Sequence, residues 1–242
     1  MRDSWDEAYK RELSNNADDA DDEGTIWFDE NGAEDAVLEL LDQLEEDGLV
    51  RRKADGDGNA ASRMLDLGTG NGHMLFALRG DNEDDEDDED QSWQGEMIGV
   101  DYSLTSVELA RKIGEQREIK PEVQFEQWDL LAAPPGPWLG NGFDIVLDKG
   151  TFDAISLMPQ TEGQPHSCET YRRKVEPLVN AGGLLVLTSC NWTKDELFSW
   201  LTPAGEEHAL EYFAEAKYPT FTFGGQTGQS IVTVAFKKRD RV

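Results

Sequence analysis

The chain has 242 residues, 51 acidic against 22 basic side chains and a formal net charge of −29. With 38% hydrophobic residues and a mean hydropathy of −0.63, it can build a core only if the polar excess sits in loops and tails. This balance excludes non-specific nucleic-acid binding, which sets cations against phosphates, and suits solubility or a basic partner. The acids are concentrated: nine of the ten positions 81–90 and five of the six positions 18–23. Cys168 and Cys190 lack metal-ligand spacing, so neither a disulfide framework nor a metal site is expected, and a reducing compartment is. Met1-Arg2-Asp3-Ser4-Trp5-Asp6 is not a signal-like opening, and no apolar run nears the ~20 residues of a membrane helix. A cytoplasmic protein without membrane contact is expected.

In chain order, Trp5, Ala8, Tyr9 and Leu13 are spaced for a short amphipathic helix. A polar, acidic linker follows over 14–24. The apolar knot Thr25-Ile26-Trp27-Phe28 then packs on the domain or closes over a ligand. Residues 1–30 read as an N-terminal arm and 31–242 as one domain. Asn31 and Glu34 have the spacing to cap a helix whose buried stripe is Val37, Leu38, Leu41 and Leu44 and whose stop is Gly48. Residues 51–60 read as a loop, 62–67 as the first strand and 73–79 as a helix. The run 81–90 has no apolar side chain to offset its ordering entropy and reads as a disordered insertion.

The second strand is 97–100, ending at Asp101, and Thr105 with Glu108 reads as a capping box for a helix over 106–117. The third strand is 123–125, a Pro/Gly/Trp loop spans 132–142, and the fourth strand is 143–147, ending at Asp148. A turn over 150–158 and a helix near 168–180, stopped by Ala181-Gly182-Gly183, precede a fifth strand at 184–188. Its unbroken apolar run fits burial on both faces. Thr193 and Glu196 cap a helix to Leu201. Alternation through Phe221 and Phe223, then Ile231, Val232, Val234 and Phe236, predicts two antiparallel strands around Gly224-Gly225 and Gly228. The fold class is α/β, a doubly wound, mostly parallel sheet closed by an antiparallel hairpin.

The densest chemical signal is Met64-Leu65-Asp66-Leu67-Gly68-Thr69-Gly70-Asn71-Gly72-His73. Alternate glycines between a strand and a helix allow a tight turn and close approach of a ligand to the main chain. A dinucleotide fingerprint would need glycine where His73 stands. Without a pyrophosphate to cradle, the third glycine can sit earlier. The stretch resembles the first motif of S-adenosylmethionine-dependent methyltransferases with a Rossmann-like sheet. In that pattern Asp66 lies near the cofactor's methionyl amino group; its alternative role is a turn cap. Asp101, with Tyr102 beside it, offers two carboxylate oxygens to the two ribose hydroxyls, or caps a helix. Asp101 lies 29 positions after Gly72, long against the ~20 expected, and removing the acidic run restores the spacing. Asp129 follows the third strand in Trp128-Asp129-Leu130, where methyltransferases place an acid for the adenine amino group, with the Leu130 backbone at the ring edge. Trp128 packs in the core or flanks the adenine.

Asp148 ends the fourth strand beside the expected reversal of strand order, where ligands bind. A carboxylate there can orient a lysine ammonium, with the proton going to water or to the carboxylate itself. Lys149 is expected to pair or point outward, and Asp153 to cap or turn the loop. His73, His166 and His208 form no cluster, so neither a metal site nor a triad is supported. His73 is expected to pack on the surface.

Asp148-Lys149-Gly150-Thr151-Phe152-Asp153-Ala154-Ile155 resembles a segment of a eukaryotic family of protein-lysine methyltransferases acting on translation elongation factor 1-alpha. Leu65 to Gly72, Ser189-Cys190-Asn191-Trp192-Thr193, Phe223 to Gly228 and the start, Trp5-Asp6 through Tyr9 to Glu12-Leu13 with Trp27-Phe28, are similar to it too. The resemblance implies a seven-stranded Rossmann-like methyltransferase sheet, S-adenosylmethionine as methyl donor and a lysine acceptor. It implies Asp66, Gly68, Gly70, Gly72, Asp101, Tyr102, Asp129 and Leu130 around the donor, Trp5, Tyr9 and Trp27 over it, and Asp148 as the catalytic position. The partner implied is a protein substrate, met by a monomer. The acidic run and the overall charge depart from the family. Asn-Pro-Pro-Tyr, the strand-four motif of many amine methyltransferases, is absent, so their deprotonation scheme does not transfer. Competing readings are a methyltransferase of a small molecule or RNA, a cofactor-holding adaptor without turnover and, more distantly, a nicotinamide oxidoreductase.

Overall fold

The structure, a computed structural model, describes residues 2–80, 92–160, 162–205, 207–219, 221–223 and 226–240. Its elements run α1 (Arg2–Asp18), α2 (Ala33–Glu46), β1 (Met64–Leu67), α3 (His73–Leu78), β2 (Met97–Asp101), α4 (Leu104–Gln116), β3 (Gln124–Gln127), β4 (Phe143–Lys149) and α5 (Thr151–Ser156). There follow α6 (Ser167–Val175), β5 (Val179–Ser189), α7 (Lys194–Leu201), β6 (Leu210–Glu215), β7 (Phe221–Phe223), β8 (Gln226–Gly228) and β9 (Val232–Lys238). The main sheet has seven strands in the order β3-β2-β1-β4-β5-β9-β6. The first five in that order are parallel, and β9 runs antiparallel to both β5 and β6. The expected fold class therefore stands. Strand order reverses between β1 and β4, so their carboxyl ends flank the crevice where such sheets bind ligands.

Strand side chains alternate between faces, and the sheet divides accordingly into two cores. Met64, Ile145 and Leu147 pack with Val37, Leu41, Phe76 and Ile113 on the side of α1 to α4. Leu65, Leu67 and Val146 pack with Phe152, Tyr171 and Leu197 on the side of α5 to α7. On the first side, the buried guanidinium of Arg79 donates to the carbonyls of Trp93, Gly95 (2.9 Å) and Pro121 (3.0 Å), while Trp93 N–H bonds Leu78 O at 2.8 Å.

Several boundaries differ from expectation. Helix α1 runs past Leu13 through what reads as linker, and its end is closed by buried Asn16, whose amide donates to the Ala20 and Asp22 carbonyls. Asn31 does not cap α2: its amide bonds Ser230 Oγ at 3.0 Å, and Gly32, with φ +61°, takes the cap position. Leu40, not Leu38, completes the buried stripe of α2. Helix α4 starts at Leu104 after Ser103, so Thr105 and Glu108 lie inside it. The turn after Gly150 is a short helix, α5. Gly182 and Gly183 lie within β5, not at a helix end; a Cβ on Gly183 would sit 3.0 Å from the Phe143 and Asp144 carbonyl oxygens, where the β4–β5 register shifts. That close backbone approach is what glycine permits in a strand.

The full Thr193–Glu196 capping box is present. The antiparallel partner of β9 is β6, whose exposed-to-buried alternation is weak, while Phe221–Phe223 pairs with Gln226–Gly228 in a separate ribbon. The expected insertion at 81–90 and the Gly224-Gly225 turn lie outside the described residues.

Candidate functional site

Gly68, Gly70 and Gly72 all have positive φ (+68°, +59° and +84°), a region costly to any residue with a Cβ. Their surroundings differ. A Cβ on Gly68 would strike the Thr151 hydroxyl, which donates to Leu67 O at 2.7 Å. On Gly72 it would lie 2.8 Å from the Phe125 ring, and on Gly70 3.0 Å from the Tyr9 hydroxyl. Gly72 thus serves packing between elements, Gly68 does so while also bordering a small cavity of about 30 Å³, and Gly70 faces that cavity. Tyr9, Trp27, Asp66, Gly68, Thr69 and Lys149 line that cavity with it.

Alternation sorts the strand-end charges. Asp66 pairs with Leu147 and Leu67 with Asp148, so Asp66 and Lys149 point to the α1 side and Asp148 to the opposite side. Burial pushes the Asp66 carboxyl up, opposed by the Thr69 hydroxyl and the Lys149 charge. Lys149 does not point outward. Its Nζ donates to the Trp27 carbonyl at 2.9 Å, and burial lowers its pKa against the pull of Asp66, Glu34 and Asp29. Asp148 is 1% exposed; it accepts the Tyr171 hydroxyl at 2.6 Å and the Phe152 amide at 3.1 Å on both oxygens. Burial carries its pKa to about 7 despite these bonds. Asp153, expected to cap or turn a loop, instead ties α5 to the end of β5 through the Ser189 hydroxyl and the Cys190 amide.

Asp101 accepts the Gly70 amide at 3.2 Å and the Ser103 amide at 2.9 Å, fixing the glycine loop to the start of α4, and burial lifts its pKa to about 6. The Tyr102 carbonyl accepts the Gln127 amide. Asp129 Oδ1 accepts from Leu131 and Ala132, a turn after β3, and Leu130 is buried. Trp128 packs edge-on against Trp138, in the core.

The arm lies over the glycine loop. Trp5 meets Trp27 edge to face at 4.7 Å, Trp5 and Tyr9 stack, and Phe28 lies over Gly150. His73 is not simply a packed surface residue. Its ring sits between Glu23 of the arm (3.1 Å) and Glu34 of α2 (2.7 Å). Burial disfavours the imidazolium, but the two carboxylates outweigh it and lift the pKa to about 9. Arg117 adds a bond to Glu23 at 2.9 Å, and Asn71 Nδ2 bonds the Glu23 carbonyl at 2.9 Å.

Lys149, Thr151, Tyr171 and the His73–Glu23–Glu34 group are what reading the residues one at a time misses. Strand alternation from Asp148 was the available signal for Lys149; the histidine's partners come from separate segments and leave no local trace. A groove of about 720 Å³ between α4 and β3, lined by residues such as Arg111, Glu118, Glu122 and Phe125, is far larger than the cavity at Gly70. We place the site at the small cavity, because buried charges and bare backbone converge there. Among the described residues, no group of three or more His, Cys, Asp or Glu side chains could hold a metal ion, and no helix is long and apolar enough to cross a membrane.

A family model described as a methyltransferase domain matches residues 59–234. The protein-lysine N-methyltransferase EFM4 of Saccharomyces cerevisiae is 37% identical over 237 residues, 98% of this chain and 93% of its own. The EEF1A lysine methyltransferase 2 of Danio rerio is 34% identical over 238 residues, 98% of this chain and 86% of its own. Among solved structures, the N-methyltransferase NodS of Bradyrhizobium japonicum, in complex with S-adenosyl-L-homocysteine, shares the fold. Its TM-score is 0.55 over 97% of this chain and 98% of its own, at 15% identity.

Proposed function

The chain belongs to the protein-lysine N-methyltransferase family of the yeast and zebrafish proteins above, and from that premise we propose that it methylates a lysine of translation elongation factor 1-alpha, with S-adenosylmethionine as donor. The observation that carries the site is the buried Asp66 carboxylate beside positive-φ Gly68 and Gly70 at the strand-order reversal. The residues fit the donor: a Cβ would close the space at Gly70, and Asp66 is a buried anion suited to an ammonium group. Asp66 would take the donor's amino group, with the bare backbone of Gly68 to Gly72 beside it. Asp101 and Tyr102 would take the ribose, Asp129 and the Leu130 backbone the adenine. Trp5, Tyr9 and Trp27 of the arm, which crowd this space now, would move aside to admit the donor and flank it.

When bound, the donor supplies a methyl group on a sulfonium, open to in-line attack by a neutral amine. The protein must therefore orient a lysine and let its ammonium shed a proton. Asp148 belongs to this acceptor side. With the Tyr171 hydroxyl on Oδ2 and the Phe152 amide on both oxygens, its carboxylate holds the start of α5, while the Thr151 hydroxyl ties that turn to Leu67 before the glycine loop. The strongly acidic chain suits a basic partner. Free Cys168 and Cys190 accord with a reducing, cytoplasmic setting, and we expect a monomer to act there. Labelled S-adenosylmethionine with the purified factor should label one lysine, and Asp66→Asn should suppress it. Label appearing only on RNA or a small molecule would overturn the assignment.

A further inference from the structure

Lys149 is a cation held inside the donor cavity, and the functional assignments above leave it unused. It lines the cavity with Asp66, Gly68 and Gly70, and its Nζ hydrogen bond goes to a neutral group, the Trp27 carbonyl of the arm. The half-buried Lys149 ammonium feels the charges of Asp66, Glu34 and Asp29, yet its hydrogen bond goes to a carbonyl, and a carboxylate binds an ammonium more strongly than a carbonyl does. The cavity, about 30 Å³, is far below the ~300 Å³ that small-molecule sites reach. Tyr9, Ile26 and Trp27 of the arm line it, with the Tyr9 hydroxyl 3.0 Å from where a Gly70 Cβ would stand, so a nucleoside joined to an amino acid needs the arm to give way. Withdrawal takes the Trp27 carbonyl from Lys149. The amino-acid end of the donor carries both an ammonium, for which Asp66 is placed, and a carboxylate.

We propose that Lys149 binds the α-carboxylate of the donor's amino-acid end, exchanging the Trp27 carbonyl for it, so that donor binding and release of the arm are one event. This rests on the donor assignment above. Calorimetry compares S-adenosylhomocysteine with 5′-methylthioadenosine, which lacks the amino-acid group, on the full chain and on Lys149→Met and Lys149→Arg. Lys149→Met should bind S-adenosylhomocysteine roughly tenfold or more weakly and 5′-methylthioadenosine unchanged, with Lys149→Arg recovering part of the loss, as a charge-assisted bond requires. Hydrogen exchange at residues 22–28 should rise in Lys149→Met without ligand. In the wild-type chain it should rise more when S-adenosylhomocysteine binds than when 5′-methylthioadenosine does. Equal loss of both ligands in both variants, or no loss of S-adenosylhomocysteine in Lys149→Met, would overturn the proposal. Failure of the wild-type chain to bind either compound would remove the donor assignment and the proposal with it.

Discussion

Two concavities of this molecule differ about twentyfold in size, and it is to the smaller that we assign the chemistry. The groove between α4 and β3, about 720 Å³, is open and lined by solvated charges such as Glu118, Lys120 and Glu122. The cavity at Gly70, about 30 Å³, is filled from above by the arm, yet Asp66, Asp101 and Lys149 all carry pKa values displaced by burial. Solvated charges are cheap to keep and say little. Charges held out of water must be compensated by a partner, by the fold or by a ligand. Asp148 and Asp66 show the distinction within one sheet. The first is provided with donors by Phe152 and Tyr171, while the second has the Thr69 hydroxyl and a lysine that bonds elsewhere.

Substitutions on each side test that contrast. The largest effect is expected at Gly68→Ala, which forces a Cβ onto the Thr151 hydroxyl at φ +68°. It should cost about 2–4 kcal/mol in urea unfolding, from left-handed strain and the lost Thr151–Leu67 bond. Asp66→Asn should weaken S-adenosylhomocysteine binding by about 1.5–3 kcal/mol in calorimetry, the scale of a hydrogen bond to a charged group, while leaving stability unchanged or raised because a buried charge is gone. Lower stability with intact binding would show that this carboxylate serves the fold.

His73→Gln tests the arm's anchor by pH. The folded value of about 9 exceeds the ordinary 6.5. The stability it contributes is therefore complete below the unfolded value and is lost as pH rises through the folded one. Urea midpoints should fall between about pH 6.5 and 9 in the wild-type chain, and the variant should lack that fall. The difference should be on the order of 1–2 kcal/mol, discounted for partial exposure. Asp148, raised to about 7, acts in a lower window. Its burial penalty is present above the folded value and is relieved as pH falls toward the unfolded one, so the two groups separate. The smallest effect is expected from Glu122→Gln in the open groove: donor affinity and stability within about 0.5 kcal/mol of wild type. A larger loss of donor affinity there would contradict the assignment of the site to the small cavity.

The parts of the site readable from the chain alone are those set by local constraints. Three glycines must turn a strand into a helix, and acids at the ends of apolar runs mark the carboxyl edge of the sheet, so Asp66, Asp101 and Asp148 fall at strand ends. What remained hidden depends on distant partners. His73 draws its charge from Glu23 and Glu34, segments that meet only after folding. The Thr105–Glu108 spacing matched a capping box, but Asp101 already holds the Ser103 amide, and the helix starts earlier. At the C-terminal edge the pattern of Phe221 and Phe223 outweighed the weaker one of β6, because an edge strand with exposed Glu211 and Tyr212 carries little periodic signal.

The clamp made by Arg79 has a consequence for chain architecture. The chain leaves α3 and re-enters toward β2 at points already joined, Leu78 to Trp93 by a backbone bond and both sides through one guanidinium. The ends of the intervening segment are thus held together by the core, and for a flexible loop between fixed ends each doubling of length adds only about 0.6 kcal/mol of closure entropy. The junction is a natural splice point, a place where an epitope or a reporter peptide can be carried as cargo while the sheet, the glycine loop and the arm keep their positions.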